Sequence, residues 1–120
     1  MRDLMIIIEN LSSHTVLWHG TSESPDDIRK HGLLPARHES VFLTDNPEQA
    51  VDYAVTDQDR TGNEHLTVVT VDLSKLDMKR MMPDLDHTTV DDWQESLSET
   101  DQCMYQGHIP PEAILSIKEY

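Results

Sequence analysis

The sequence predicts an α+β fold, with roughly four to six short strands around two helices. Three stretches carry that expectation. Ser24 to Gly32 reads as a helix written at both ends: Ser24 as cap, Pro25 in the first turn, Asp26 and Asp27 at the positive end, Arg29 to His31 at the negative end, Gly32 as stop. Leu66 to Leu73 is a run of β-branched residues that suits a central strand. After Val41 to Thr44, Asp45 or Asn46 can cap a second helix, with Pro47 in its first turn and Ala50, Tyr53 and Ala54 on one face.

The remaining elements follow in chain order. Leu4 to Ile8 is β-prone, Asn10 to His14 holds turn residues, and Thr15 to Trp18 is a second apolar stretch that ends at His19-Gly20. Val41 to Thr44 is a strand, and Asp57 to Glu64 reads as a polar loop with Gly62-Asn63 at its tip. From Ser74 to Thr100 no strong period is visible, apart from a helical turn within Asp91 to Leu97. Gln102 to Gln106 forms a strand, Pro110-Pro111 breaks the chain before a turn at Glu112 to Ile114, and Leu115 to Lys118 is the last strand.

At 120 residues, with no repeat or low-complexity linker, the chain is expected to form one domain spanning 1–120. Hydrophobic residues make up 37% and aromatics 5%, which implies a thin core with polar edges. The longest apolar run, Leu4 to Ile8, is five residues, against the roughly 20 of a spanning helix. Neither a membrane anchor nor a secretion signal is expected. Asp and Glu number 23 against 9 Lys and Arg, for a net charge of −14. Such a field opposes non-specific nucleic-acid binding and attracts a basic protein surface, although acid also serves plain solubility. One cysteine, Cys103, allows no internal disulfide and fits a reducing, cytoplasmic compartment.

Chemistry is most concentrated at Leu17-Trp18-His19-Gly20-Thr21. A strand ending in His-Gly-Thr sets an imidazole at the mouth of a sheet, then a residue without a side chain where a ligand can approach the backbone. The Thr21 hydroxyl can bond that ligand or turn back to fasten the loop. The tripeptide also occurs as an ordinary strand-to-loop turn. Among the other histidines, His14, His31, His38, His65, His87 and His108, no pair has helical metal spacing, and one cysteine gives no thiolate set, so no metal is expected. Cys103 reads as a small buried strand residue rather than a nucleophile.

Further along come Ile28-Arg29-Lys30-His31-Gly32-Leu33-Leu34-Pro35, Val41-Phe42-Leu43-Thr44, the helix with Ala50 and Tyr53, and Ile109-Pro110-Pro111-Glu112-Ala113-Ile114. In this order the chain resembles the ADP-ribosyltransferase superfamily from Val16 to the C-terminus, with Val16 to Ala54 the specific half. Poly(ADP-ribose) polymerases and rifampicin-type ADP-ribosyltransferases are similar through His-Gly-Thr and the aromatics Phe42 and Tyr53. RNA 2′-phosphotransferases are similar through Gly-Leu-x-Pro, Arg37 and a strand ending in Leu43-Thr44. That family's extra N-terminal domain has no counterpart in the roughly 18 residues before His19, and the acidic charge points the same way.

The resemblance implies an ADP-ribosyltransferase-like domain of small mixed or antiparallel sheets with two short helices, binding NAD as a substrate. In such a cleft His19 would bond a hydroxyl of the nicotinamide ribose and the Gly20 backbone would hold the carboxamide. Phe42 and Tyr53 would stack on the nicotinamide ring. Thr21, Arg37 and Thr44 would complete the nucleotide-binding set, with Arg37, Arg29 and Lys30 available to a pyrophosphate or to a helix end. Cleaving the nicotinamide bond builds positive charge on the ribose, so an acid belongs near its 2′-hydroxyl. The related polymerases carry a Glu at the start of a late strand. Here that stretch reads Glu99-Thr100-Asp101-Gln102-Cys103, which makes Asp101 the candidate and Asp77 the alternative. The expected activity is therefore NAD-dependent transfer of ADP-ribose to a macromolecule, catalysed through His19 and Asp101. Its rivals are a non-catalytic acidic binding module on the same fold, facing a basic protein partner, and an RNA 2′-phosphotransferase-like enzyme.

Overall fold

The structure is a computed structural model and describes residues 15–120. The strand expected at Leu4 to Ile8 and the turn at Asn10 to His14 lie outside the described residues. Six strands form one sheet: β1 (Val16–Thr21), β2 (Ser40–Thr44), β3 (Thr67–Asp72), β4 (Met81–Pro83), β5 (Gln102–Gln106) and β6 (Ile114–Glu119). Their order is β4-β5-β2-β1-β3-β6, and every neighbouring pair is antiparallel. Three α-helices accompany them: α1 (Pro25–His31), α2 (Pro47–Thr61) and α3 (Trp93–Thr100). The architecture is α+β, with one antiparallel sheet and three helices rather than two.

The helix ends are set by local chemistry. The Ser24 hydroxyl accepts from the Asp27 N–H at 3.2 Å, and the Gly32 N–H closes the last turn of α1 on the Ile28 carbonyl. Asn46, not Asp45, caps α2, accepting from the Glu48 N–H at 3.0 Å ahead of Pro47. α2 runs on through the stretch expected as loop, to Thr61, and stops at Gly62 in the left-handed conformation (φ 77°). The polar composition of its last turns hides a continuing helix, because those turns face solvent and a cavity. α3 extends the helical turn expected around residues 91–97 and is capped by Asp92, which accepts from the Glu95 N–H.

Leu17, Val41, Leu43, Val69 and Val71 cluster with Ile28 of α1, Leu97 of α3 and Ile109, all essentially fully buried. Each such side chain contributes about 1.5–3 kcal/mol by leaving water. On β1, α2 crosses Gly20 so closely that a Cβ there would stand 1.7 Å from the Ala50 carbonyl oxygen. Ala50 and Ala54, both fully buried, are the small residues that permit this approach.

Strand pairing is uneven, and that unevenness positions the site. β1 pairs with β3 along all six of its residues, and β2 pairs with β5 along all five. Between β1 and β2 there is a single pair, Trp18 with Thr44. The sheet therefore divides into halves, β6-β3-β1 and β2-β5-β4, that part beyond Trp18. Among the described residues no helix is long and apolar enough to cross a membrane.

Candidate functional site

β1 does not end at Trp18; it runs through His19-Gly20-Thr21, held by β3 through the pairs His19–Val69, Gly20–Val68 and Thr21–Thr67. Those three residues form one lip of the opening between the half-sheets. Phe42 and Val41 of β2 form the other, and α2 makes a third wall. The open cleft between them has a volume of about 530 Å³, within the range of small-molecule sites.

His19 bridges the lips. Its Nδ1–H donates to the Phe42 carbonyl at 2.7 Å. A carbonyl can only accept, so the proton sits on Nδ1 and Nε2 keeps a lone pair. Burial lowers the imidazole's pKa from its ordinary 6.5, outweighing the opposing Phe42 bond and the Asp57 charge. His19 is thus a neutral ring with a fixed tautomer.

α2 presents Tyr53, Thr56, Asp57, Arg60 and Thr61 to the cavity, at the three- and four-residue spacing of one helical face. The Tyr53 hydroxyl accepts from the Gln49 amide at 3.3 Å, and burial raises its pKa. Asp57 ties α2 to the loop after β1: its Oδ2 accepts from the Ser22 N–H at 2.9 Å and the Ser22 hydroxyl at 2.7 Å, and Oδ1 accepts from Arg60. Those bonds outweigh its partial burial and lower its pKa. Thr21 turns back, its hydroxyl accepting from the Glu23 N–H at 3.2 Å, while the residue still lines the cavity. Glu23 lies at the rim, half-buried, its pKa raised by burial first and then by the nearby Asp57 and Asp27 charges.

The opposite wall comes from two loops locked together. Arg37 donates through Nε and Nη2 to Asp86 at 2.7 and 3.2 Å, and His38 Nε2 meets the same carboxylate at 2.9 Å. This holds the Asp86 pKa down at about 2. His38 and Glu39 both have left-handed backbone (φ 58° and 55°) where no glycine stands. His87 and Gln102 complete the lining.

In this chain no family model matches, and no curated protein matches it in sequence. Among solved structures it is similar to EcPltA, with a TM-score of 0.61 and 13% identity over 88% of this chain and 75% of that one. The α+β fold, one antiparallel sheet with three helices, is shared with that structure. At that identity the likeness concerns the fold alone.

Of the residues singled out in the sequence, His19, Gly20, Thr21, Arg37, Phe42 and Tyr53 line one cavity. Two do not. Thr44 is buried, its hydroxyl donating to the Asp101 carbonyl at 2.6 Å, so it fastens the end of β2 to the turn before β5. Asp101 caps α3 in the left-handed conformation (φ 63°), with its side chain exposed. Asp77 caps a short 3-10 turn, accepting from the Lys79 N–H. Cavity walls instead include Gln102, the first residue of β5. A search for an acid at that strand start selects its neighbour by chemical type, one residue away from the position that faces the cavity. Glu23, Asp57, Arg60 and His87 were also missed. The spacing from Tyr53 to Thr61 was the available signal for Asp57 and Arg60; for Glu23 and His87 the sequence holds none.

Gly20 is required for a different reason than ligand approach: the α2 backbone occupies the space a Cβ would need. Cys103 is buried on β5, its thiol pKa pushed far up by burial. Among the described residues no three of His, Cys, Asp or Glu come together as metal ligands.

Proposed function

We propose that this cleft binds NAD and that the protein transfers ADP-ribose from it to a macromolecular target. The observation that carries the reading is His19. Its tautomer is locked by the Phe42 carbonyl, which leaves a neutral Nε2 lone pair at the split of an ADP-ribosyltransferase-like sheet. Such an acceptor suits a ribose hydroxyl and would repel neither it nor the cationic nicotinamide ring. Beyond Trp18 the β1 backbone lacks β2 pairs, so the main chain at Gly20 offers donor and acceptor groups to a carboxamide. Phe42 and Tyr53 supply flat faces for the ring. Arg37, which keeps Nη1 beyond its Asp86 bonds, and Arg60 place positive charge where a pyrophosphate needs it.

Positive charge grows on the ribose as nicotinamide leaves, and a carboxylate near it lowers that barrier. Asp57 and Glu23 are the cavity's carboxylates. Asp57 is engaged by Ser22 and Arg60, so Glu23 takes this role in place of Asp101. The −14 charge favours a basic surface on the target protein.

One observation favours a second reading, a binding module without turnover: an amide, Gln102, stands at the late-strand start where the resemblance implies a carboxylate. Incubation with NAD labelled in its adenylate, following label transfer and nicotinamide release, separates the two. Transfer that disappears in a folded His19→Ala variant is the expected result. NAD binding without nicotinamide release would favour the binding module.

A further inference from the structure

His87 stands in the loop between β4 and α3, its side chain 58% exposed and lining the cavity. Its Nδ1–H donates to Asp84 Oδ2 at 2.7 Å. Asp84 is completely buried, and among the described residues no Lys or Arg forms an ion pair with it. Burying a carboxylate is costly unless every lone pair is answered. Oδ1 accepts from the Asp86 N–H at 2.9 Å and Oδ2 takes the His87 bond, while the Asp84 main chain is held separately, its N–H donating to the Ser96 hydroxyl at 2.9 Å. Ser96 in turn donates to the Gln102 carbonyl at 2.6 Å. Asp84 is thus anchored through its main chain to α3 and the start of β5, and its carboxylate holds the imidazole at the cavity wall.

With Nδ1–H committed to a fixed carboxylate, the ring's other nitrogen, Nε2, is left to take a proton. His19 cannot serve this purpose if its Nε2 holds a ribose hydroxyl. We infer that His87 is the general base that deprotonates the acceptor, with Asp84 as its positioning residue; this rests on the NAD reading above. In the step, the acceptor's heteroatom forms a bond to the anomeric carbon of the nicotinamide ribose. The carbon–nitrogen bond to nicotinamide breaks, and its electron pair leaves on the ring nitrogen as neutral nicotinamide. The acceptor's proton passes to His87 Nε2, and the buried Asp84 carboxylate stabilises the imidazolium. With water as acceptor the same balance gives ADP-ribose. Among the described residues, the charged and titratable groups near His87 are Asp84 and Asp86 on its own turn, Arg37 and His38 bonded to Asp86, and Glu99 of α3 bonded to the adjacent Thr88; His19, Glu23, Tyr53, Asp57 and Arg60 line the same cavity.

The test uses His87→Gln and Asp84→Asn in the full chain, with NAD as probe. Binding is measured by calorimetry, and nicotinamide release with water or cell-extract protein as acceptor is followed against pH. His87→Gln should bind NAD within about twofold of the wild type while release falls about 100-fold or more, the span of a lost general base. The acid limb of the pH profile should vanish with it. Asp84→Asn turns an N–H toward Nδ1, forcing the proton onto Nε2, and should reduce release without removing NAD binding; His87→Gln, at an exposed side chain, covers the case in which Asp84→Asn fails to fold. Release and pH profile unchanged in His87→Gln would overturn the base assignment and leave the NAD reading standing. A wild type that neither binds NAD nor releases nicotinamide would overturn both.

Discussion

Replacing Gly20 by alanine adds one methyl group at the contact that builds the cavity. The new Cβ would lie 1.7 Å from the Ala50 carbonyl oxygen, 2.7 Å from its carbon and 3.0 Å from the Ala54 nitrogen. All three are backbone atoms of α2, so no side-chain rotation relieves the clash. Either the helix or β1 must move by more than about 1 Å to restore ordinary contact. Overpacking costs about 1–3 kcal/mol, and a backbone-on-backbone collision belongs at the upper end, about 3 kcal/mol. For a chain of this length that lowers Tm by roughly 10–15 °C. Because Tyr53, Asp57 and Arg60 ride on α2, the same displacement should weaken NAD binding. Gly62→Ala is the control: its φ is 77° and nothing lies within 4 Å of the added Cβ. It meets backbone strain alone, about 1 kcal/mol. Circular-dichroism melting of both variants reads the difference. A Gly20→Ala protein as stable as the wild type would refute the packing argument.

Other outcomes follow from the site. Tyr53→Ala removes one stacking wall worth about 0.5–1.5 kcal/mol, so calorimetry should show NAD affinity falling roughly two- to tenfold; an unchanged affinity would take Tyr53 out of the site. Asp57→Ala leaves the Ser22 N–H and hydroxyl and the Arg60 guanidinium without their acceptor, which should cost about 2 kcal/mol in urea denaturation. His19 has a pKa lowered from 6.5 in the folded protein, so the unfolded chain takes up its proton first on acidification. Its contribution to stability is complete above about pH 6.5 and is lost as pH falls toward the folded value. Melting temperatures from pH 8 to 5 should therefore drop more steeply in the wild type than in His19→Gln, and parallel curves would contradict the assignment.

The sequence was most legible where local chemistry writes the structure. Ser24-Pro25 and Asn46-Pro47 announce helix starts through their own caps, and Gln102 to Gln106 stands as a strand with the residues expected. The stretch from Ser74 to Thr100 was illegible because β4 is three residues long and its neighbouring turns are single 3-10 turns capped by Asp72 and Asp77. No periodicity can build up over such lengths. At the site, His19, Phe42 and Tyr53 were readable as a motif, while Asp101 was not separable from Gln102. Which of two adjacent residues faces a cavity depends on where α3 ends, and that is set by the left-handed cap at Asp101 itself. The Arg37–Asp86 lock and the Asp84–His87 pair join or form within loops whose course only the folded chain defines.

The most direct measurement of the central claim is nitrogen NMR of the His19 ring in labelled protein, with and without NAD. The expected result is a neutral ring protonated at Nδ1, with the unprotonated Nε2 resonance shifting when NAD is added as a ribose hydroxyl begins to donate to it. A ring protonated at Nε2, or an Nε2 resonance unmoved at saturating NAD, would contradict the account.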